Sequence, residues 1–282
     1  MKRLIPLLLL CALVFCLSAC KNAKPALTEQ SVPETSETET TLDPIVRVTF
    51  PEGLTTVEIA EKLEKNGVCK AADFMAAVRN VAAVKDTYAC LASLDNESDR
   101  AFALEGYVFP DTYDFYRGES ADRALARFLS NMESKWTSDM TERAKALGYT
   151  PDDIITLASV IQEEAGDPKE MGKVASVLHN RLNSPAYGKL QCDVTINYIN
   201  QRVTDSPYLT GDTGVFAEKY NTYKCDGLPV GAICCPGIDA INAALYPEET
   251  NYFFFVTDKD MNYYYAETYE EHLKNCKICG IG

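Results

Sequence analysis

The sequence predicts an α+β protein in which a small N-terminal subdomain precedes a larger mixed α+β domain. Three observations support this fold class. A strand-like pattern at residues 45–50 is followed by two helical patterns, amphipathic helical patterns fill most of residues 121–182, and two further strand patterns lie near the C-terminus. A chain of 282 residues is long enough for one large domain or two small ones.

The N-terminus carries the features of an export signal. Met1-Lys2-Arg3 is a short basic start, and the apolar run that follows, Leu4–Ala19, has 16 residues, whereas a membrane-spanning helix needs about 20. Small residues directly before Cys20 resemble a bacterial lipobox. We therefore predict that residues 1–20 are a lipoprotein signal peptide and that Cys20 is lipidated. The alternative is an uncleaved anchor helix, and in either case the rest of the chain is tethered to the outer face of the cell membrane.

Residues 21–44 are predicted to be a flexible tether. They are rich in Thr, Glu, Ser and Pro and contain almost no large apolar side chain. Such a segment cannot bury enough apolar surface to offset the entropy that ordering would cost, so we expect it to be extended and mobile in solution.

Residues 45–100 are predicted to form the small N-terminal subdomain, built from one strand and two helices. Ile45–Phe50 alternates like a strand, and Pro51-Glu52-Gly53 turns the chain. Thr55 or Thr56 then caps a first helix, which ends at Asn66-Gly67, and a second helix covers Ala71–Asn80.

Residues 101–282 are predicted to form the larger domain. Leu104–Phe115 reads as an extended segment with a Pro-Asp turn. Glu105 in this segment fits either a ligand groove or a cap. The other predicted elements are one or two helices at Ala121–Leu147, two helices at Thr150–Leu182, extended structure at Leu190–Tyr198, a surface loop at Tyr208–Lys219, a hairpin from Tyr252–Val256 and Asn262–Ala266, and a closing helix capped by Thr268.

The helix that begins at Thr150 carries two adjacent glutamates in different predicted environments. At about 100° per residue, Glu164 extends an apolar face, while Glu163 lies on a polar face with Asp152, Thr156 and Ser159. We therefore expect Glu163 to be solvated. A carboxyl group held against apolar surface has a raised pKa, so Glu164 is a candidate proton donor near neutral pH. The alternative is that Glu164 is a helix-end residue whose carboxyl reaches water.

Composition narrows the classes of partner. The formal net charge of −14 argues against nucleic acid and against an anionic membrane surface as partners. It does not argue against a glycan, because sugars are recognised by hydrogen bonds and aromatic faces. The 16 tyrosines and 11 phenylalanines offer such faces, although most aromatic side chains belong to a core.

The cysteines allow more than one interpretation. Eight cysteines, an even number, follow the signal region. In an oxidising exterior this number would favour disulfides, with Cys69–Cys90 as one possible bridge. The alternative is that the cysteines are free thiols. Cys276 and Cys279 beside His272 could bind zinc, but a second C-x-x-C motif is missing. We therefore predict no metal and no cofactor.

Several motifs resemble those of the MltG (YceG-like) family of endolytic peptidoglycan transglycosylases, and they occur in the family's order. They are Leu104–Phe115, Leu157–Ala165, Val174–Leu182, Leu190–Thr195, Tyr220–Tyr223, Gly227–Gly231 and Pro236-Gly237. The resemblance implies a LysM-like subdomain at residues 45–100 and a YceG-like catalytic domain at residues 101–282 with a lysozyme-like catalytic helix.

The same resemblance implies site residues. The family's catalytic glutamate falls on Glu164, and Gln162 replaces another acidic residue of the family, which implies that Gln162 is not needed for catalysis. The family usually has Thr and Pro at the positions of Cys192 and Val194. The different residues in this chain could change the rigidity of the loop. The implied substrate-binding residues are Glu105, Asn180, Gln191, Asp193, Thr195, Tyr220, Asn221 and Tyr223.

The implied function is cleavage of the MurNAc–GlcNAc β-1,4 bond of nascent peptidoglycan strands, which leaves 1,6-anhydro-MurNAc ends, with Glu164 as general acid and then base. Glycan strands, cell-wall synthases and elongation or division proteins are the implied partners. Two alternatives stay open: a lysozyme-like hydrolase in which Asp193 activates water, and a peptidoglycan-binding lipoprotein without activity. His272, as a lone histidine, fits a structural role better than a catalytic one.

Overall fold

A computed structural model describes residues 43–281, so the predictions about the signal peptide, Cys20 and residues 21–42 lie outside the described residues. Over the described range the chain has the predicted α+β fold. No helix in this range is both long and apolar enough to cross a bilayer. The strands are β1 (Ile45–Thr49), β2 (Thr112–Tyr116), β3 (Phe254–Thr257) and β4 (Tyr263–Ala266). The helices are α1 (Thr56–Lys65), α2 (Ala71–Arg79), α3 (Ala121–Lys135), α4 (Ser138–Ala146), α5 (Pro151–Glu164), α6 (Met171–Leu182), α7 (Asp193–Asn197), α8 (Thr213–Tyr220), α9 (Ile238–Leu245) and α10 (Tyr269–Ile278).

The four strands form two separate antiparallel pairs. β1 pairs with β2, so that Ile45 lies opposite Tyr116. The partner of β1 therefore lies beyond residue 100, and the first sheet joins residues on both sides of the predicted boundary between the subdomains. The second pair is the predicted hairpin, in which Phe254 of β3 lies opposite Ala266 of β4.

Three helices begin at threonines that the sequence predicts as caps. In each case the threonine side chain accepts a backbone N–H three residues on, and the carboxylate there accepts the threonine's own N–H. The predicted helical stretch at Ala121–Leu147 forms two helices, because the chain leaves helical geometry at Trp136 and Thr137 caps α4. The capping pairs are Thr55–Glu58, Thr150–Asp153 and Thr268–Glu271.

α5 lies at the centre of the core, and every residue from Ile154 to Ile161 is buried. The predicted polar face of this helix is largely covered by protein, because Asp152, Thr156 and Ser159 are buried as well. Helical periodicity separates polar from apolar positions, but it does not reveal that neighbouring elements enclose the helix on both sides.

The buried side chains of Asp152 and Ser159 have hydrogen-bond partners inside the protein, as buried polar groups require. The carboxylate of Asp152 pairs with the buried guanidinium of Arg100 and accepts a hydrogen bond from the Tyr107 hydroxyl at 2.6 Å. The Ser159 hydroxyl donates to the Thr156 carbonyl at 2.7 Å and accepts the Ile233 N–H at 3.0 Å. These contacts fix the start and the middle of α5 relative to the rest of the core.

Three predictions of irregular or extended structure are wrong. Leu190–Tyr198 contains α7 and runs into a π-helical turn at Tyr198–Val203, because helix-compatible hydrogen bonding overrides the strand preference of its β-branched residues. Tyr208–Lys219 contains most of α8, which is capped by Asp212 and buries Phe216. Residues 101–108 form turns, and extended structure begins only at Thr112.

Every cysteine in residues 43–281 is a free thiol, including Cys69 and Cys90. Four of them are buried, which is common for structural cysteines. In the C-terminal helix the sulfur of Cys276 lies 3.6 Å from Nε2 of His272. The described residues contain no group of three His, Cys, Asp or Glu side chains arranged to hold a metal ion.

Candidate active site

Glu164, the last residue of α5, lines an open cavity of about 330 Å³. The cavity is enclosed by α6, the segment around residues 190–193, Tyr223 beyond α8, β3 and the first turn of α10. Its other lining residues are Val177, Leu178, Arg181, Leu190, Gln191, Cys192, Asp193, Tyr223, Phe254, Phe255, Tyr269 and His272. A second cavity of about 720 Å³, between the α1–α2 and β2–α3 connections, contains none of the predicted site residues.

The environment of Glu164 favours its protonated form. Burial raises the pKa of the Glu164 carboxyl to about 7, and the negative charges of Asp193 and Glu163 act in the same direction. A hydrogen bond from the Cys192 thiol and the positive charge of Arg181 partly oppose this rise. A carboxyl group with a pKa near 7 can give up a proton and take one back at neutral pH, as general acid–base catalysis requires.

The β3–β4 hairpin fixes the backbone on which Glu164 is carried. The Tyr263 hydroxyl accepts the Gly166 N–H at 2.8 Å and lies 3.4 Å from the Glu164 carbonyl oxygen, to which it donates. The last turn of a helix leaves carbonyl groups without intrahelical partners, and this hydroxyl satisfies one of them. Residues from the far end of the sequence thus hold the end of α5 in place.

Glu163 points away from the Glu164 cavity and lines a second, smaller space of about 110 Å³ with Thr55 and Arg202. Its side chain is exposed, as predicted. Its carboxyl is nevertheless partly desolvated by the protein around it, which raises its pKa, while the Arg202 charge opposes the rise. The two adjacent glutamates therefore face different cavities.

Replacing Glu163 by Gln is expected to leave glycan cleavage within about twofold of wild type and to change the free energy of unfolding by roughly 0.5 kcal/mol or less, as for other exposed sites. Gln keeps the shape of the side chain, and Glu163 does not line the cavity that Glu164 faces. Peptidoglycan digestion and thermal unfolding measure the two effects. A folded but inactive Glu163→Gln protein would show that the proton donor has been assigned to the wrong face of α5.

Gln191, Asp193 and Tyr223, three of the predicted substrate-binding residues, line the same cavity as Glu164. The Tyr223 hydroxyl donates to the Asp193 carboxylate at 2.7 Å. Gln191 has a φ of 53°, which is unusual for a residue other than glycine, and its N–H bonds the Thr222 carbonyl at 3.1 Å. Strained backbone of this kind is often found at functional sites, where the surrounding structure holds it.

Glu105 does not line the cavity, so the structure does not bring it together with Gln191, Asp193 and Tyr223. It is completely buried, and its carboxylate accepts hydrogen bonds from the Thr56 N–H and hydroxyl, each at 2.9 Å, and from the Tyr198 hydroxyl at 3.1 Å. Burial raises its pKa to about 7, against these hydrogen bonds. Glu105 therefore joins the start of α1 to the π-helical turn at Tyr198–Val203.

Four other predicted substrate-binding residues also lie outside the cavity lining. Thr195 and Tyr220 are fully buried, and the Thr195 hydroxyl bonds the Cys192 carbonyl at 2.8 Å. The Asn180 amide donates to two backbone carbonyls just before β3, at 2.9 Å each. Asn221 is the C-cap of α8, and its side-chain oxygen accepts the Tyr223 N–H at 3.0 Å. These four residues therefore support the walls of the cavity and do not line it.

Sequence reasoning missed Arg181, Phe254 and Tyr269 as lining residues. The Arg181 guanidinium donates to the carbonyls of Phe253 and Leu190 at 2.7 and 2.6 Å, and so ties α6 to both neighbouring walls. Its spacing of four residues from Val177 places both on one face of α6, and this helical spacing is the signal that could have found it. The positions of Phe254 and Tyr269 depend on long-range packing that no local pattern reveals.

Fold and site together define an α+β protein in which a carboxyl group with a raised pKa, at the end of the central helix, lines an open cavity. The chain belongs to the YceG-like family, whose sequence profile matches residues 24–278.

Two bacterial relatives agree with this assignment. An endolytic murein transglycosylase of Streptococcus pneumoniae serotype 2 (strain D39 / NCTC 7466) is 28% identical over 245 residues, which are 82% of this chain and 44% of the relative. An endolytic murein transglycosylase of Bacillus subtilis (strain 168) is 31% identical over 171 residues, 61% of this chain and 46% of the relative. The match thus spans less than half the length of either relative.

A crystal structure at 2.6 Å of a yceG-like protein from Listeria monocytogenes has a similar fold. The two structures superpose with a TM-score of 0.68 at 27% sequence identity, over 81% of this chain and 75% of the Listeria chain.

Proposed function

We propose that this chain is a membrane-tethered endolytic murein transglycosylase that cleaves the MurNAc–GlcNAc β-1,4 bond within peptidoglycan strands. The observation that carries the proposal is the placement of Glu164, whose carboxyl has a pKa of about 7 and lines an open cavity with Gln191, Asp193 and Tyr223. The names of the Streptococcus and Bacillus relatives support the same activity.

Glu164 would act twice in one cycle. In its protonated form it donates to the glycosidic oxygen, the bond from that oxygen to the sugar C1 breaks, and positive charge develops at C1. As a carboxylate it then takes the proton of the C6 hydroxyl of the same sugar, whose oxygen bonds to C1 and closes a 1,6-anhydro ring. The nucleophile is already part of the substrate, so the reaction needs neither water nor a second catalytic carboxylate.

The walls of the cavity would position the strand. Gln191 and Tyr223 offer an amide and a hydroxyl to sugar N-acetyl and hydroxyl groups, and Asp193 orients Tyr223 through the 2.7 Å hydrogen bond. Arg181, held by two carbonyls beside Glu164, would stabilise the carboxylate that exists between the two proton transfers.

We propose for this chain the subdomain, the catalytic helix, the membrane anchor and the partners that the family resemblance implies. The order β1–α1–α2–β2 supports a LysM-like subdomain around an antiparallel strand pair, and α5 with its terminal acid supports a lysozyme-like catalytic helix. Lipidation of Cys20 and a tether up to residue 44 would hold the enzyme at the outer face of the cell membrane, beside the nascent strands. Cell-wall synthases and elongation or division proteins would then be its partners.

Mass spectrometry of digested peptidoglycan tests the proposed activity. The compact unit from Asp43 onward is expected to generate new anhydro-muramyl ends. New reducing ends instead would indicate a lysozyme-like hydrolase in which Asp193 activates water. No new ends would contradict enzymatic activity in this unit and favour a glycan-binding lipoprotein.

The rate of cleavage is expected to fall as the pH rises through about 7, the pKa of Glu164. The first step needs the protonated carboxyl, and above this pH an increasing share of the enzyme lacks that proton. The measurement is kcat/KM on solubilised glycan strands between pH 5 and pH 9, together with circular dichroism to show that the fold is retained. A rate that stays constant or rises across this range would contradict Glu164 as the acid.

A further inference from the structure

The wall of the cavity that α10 provides carries two side chains that the proposed cleavage steps do not use. Tyr269 and His272 lie in the first turn of α10, and both line the cavity of Glu164. Phe254 packs against both, with ring centroids 5.8 Å from Tyr269 and 5.2 Å from His272, and the His272 ring is nearly parallel to it. Both side chains therefore pack on β3.

Tyr269 presents an apolar ring to this cavity. It is 59% exposed although it packs against Phe254, so the ring is both supported and accessible. Tyr223, on another wall, is 44% exposed and is anchored by Asp193. Rigid aromatic rings with an accessible face are characteristic of binding sites, because little conformational entropy is lost when a ligand packs on them.

His272 carries a ring nitrogen without a partner. Its Nε2 lies 3.6 Å from the Cys276 sulfur, whereas its buried Nδ1 has no hydrogen-bond partner in the protein. Burial and the positive charge of Arg181 lower the pKa of His272, which keeps the imidazole neutral at pH 7. A buried polar atom left unpaired is costly and calls for a partner that binding would supply.

We propose that Tyr269 and His272 form a sugar-binding subsite beside Glu164. A pyranose ring of the glycan strand stacks on Tyr269, and a hydroxyl or N-acetyl group of that sugar hydrogen-bonds the free nitrogen of His272 after rotation of the imidazole ring. The subsite rests on the proposed function, because it requires a glycan in this cavity. Its role is binding, since neither side chain moves a proton in the cleavage steps.

The test is equilibrium binding of soluble, uncrosslinked glycan strands to the full chain carrying Glu164→Gln, which holds the glycan without cutting it. Adding Tyr269→Ala should raise Kd about tenfold, or about 1.4 kcal/mol, as is common when a central aromatic side chain is removed. Tyr269→Phe keeps the ring and should stay within about twofold of the parent. His272→Ala should also weaken binding, and His272→Asn, which keeps a polar group near the position of Nδ1, should restore part of it.

Tyr246→Ala is the matched control. Tyr246 is 54% exposed, packs against the guanidinium of Arg143 and does not line the cavity, so its loss should leave Kd unchanged. Thermal unfolding is measured for every variant, and Tyr269→Gln serves as a second ring-free variant if alanine perturbs α10.

Equal Kd for the parent and both ring-free variants would overturn the subsite while leaving the proposed function intact. Failure of the parent itself to bind glycan strands would overturn the proposed function and the subsite with it.

Discussion

Replacing Glu164 by Gln is expected to reduce glycan cleavage about 10²–10⁴-fold, the usual contribution of a general acid or base. The amide has nearly the same shape as the carboxyl group but has no acidic proton to give to the glycosidic oxygen. The measurement is the rate at which new glycan ends appear in digests of purified peptidoglycan. Glu163→Gln, which makes the same chemical change one residue earlier, is the matched control and should stay active.

The stability of the Glu164→Gln protein should show why its activity is lost. In the folded protein the pKa of Glu164 is raised from 4.5 to about 7, so folding favours the protonated carboxyl. The stability gained from this protonated form is fully present below about pH 4.5 and is lost as the pH rises through about 7. Gln does not ionise, so the variant should be at least as stable as wild type at pH 8, with a smaller difference at pH 5. An inactive variant that also unfolds well below wild type at pH 8 would attribute the loss to misfolding instead of chemistry.

Replacing Asp152 by Ala is expected to destabilise the protein by about 3–5 kcal/mol, the usual cost of removing one partner of a buried ion pair. The Arg100 side chain is completely buried and would keep its charge without a counter-ion, and the Tyr107 hydroxyl would lose its acceptor. Urea denaturation at pH 7 gives the change in free energy of unfolding. A loss below about 1 kcal/mol would show that the pair is accessible to water in solution.

Asp153→Ala provides the comparison for Asp152→Ala. Both residues lie in the first turn of α5, but Asp153 only completes the exposed capping box with Thr150, so its loss should cost about 0.5–2 kcal/mol. Both variants remove one negative charge from the same helix end, so the difference between them isolates the buried pair. Replacing the pair together, as Arg100→Met with Asp152→Leu, should recover part of the stability because no buried charge is left alone.

The local features of the fold were predictable from the sequence. The caps at Thr150 and Thr268 follow from side-chain chemistry within three residues, and the hairpin follows from two short runs rich in aromatic residues on either side of a five-residue turn at Thr257–Met261. The different surroundings of Glu163 and Glu164 follow from a step of about 100° per residue. These predictions succeeded because the interactions that decide them lie within a few residues of one another.

The enclosure of α5 and the walls of the site were not predictable in the same way. Asp152 reads as a polar residue at the start of a helix, and only the approach of Arg100 from a separate segment makes it a buried ion-pair partner. Glu105 belongs to a motif that resembles a family landmark, but the structure buries it beneath the start of α1. Tyr269 reaches the cavity only because β3 packs on α6 and α10 packs on the hairpin. Long-range packing of this kind leaves no local periodicity in a single sequence.

The central claim is that Glu164 catalyses cleavage without water as a reactant. Digestion of peptidoglycan in water enriched in heavy oxygen, followed by mass spectrometry of the new glycan ends, tests it most directly. The proposal predicts anhydro ends that carry no heavy oxygen and are lighter by one water than ordinary reducing ends. Heavy oxygen at new reducing ends would contradict it, because water would then be the nucleophile.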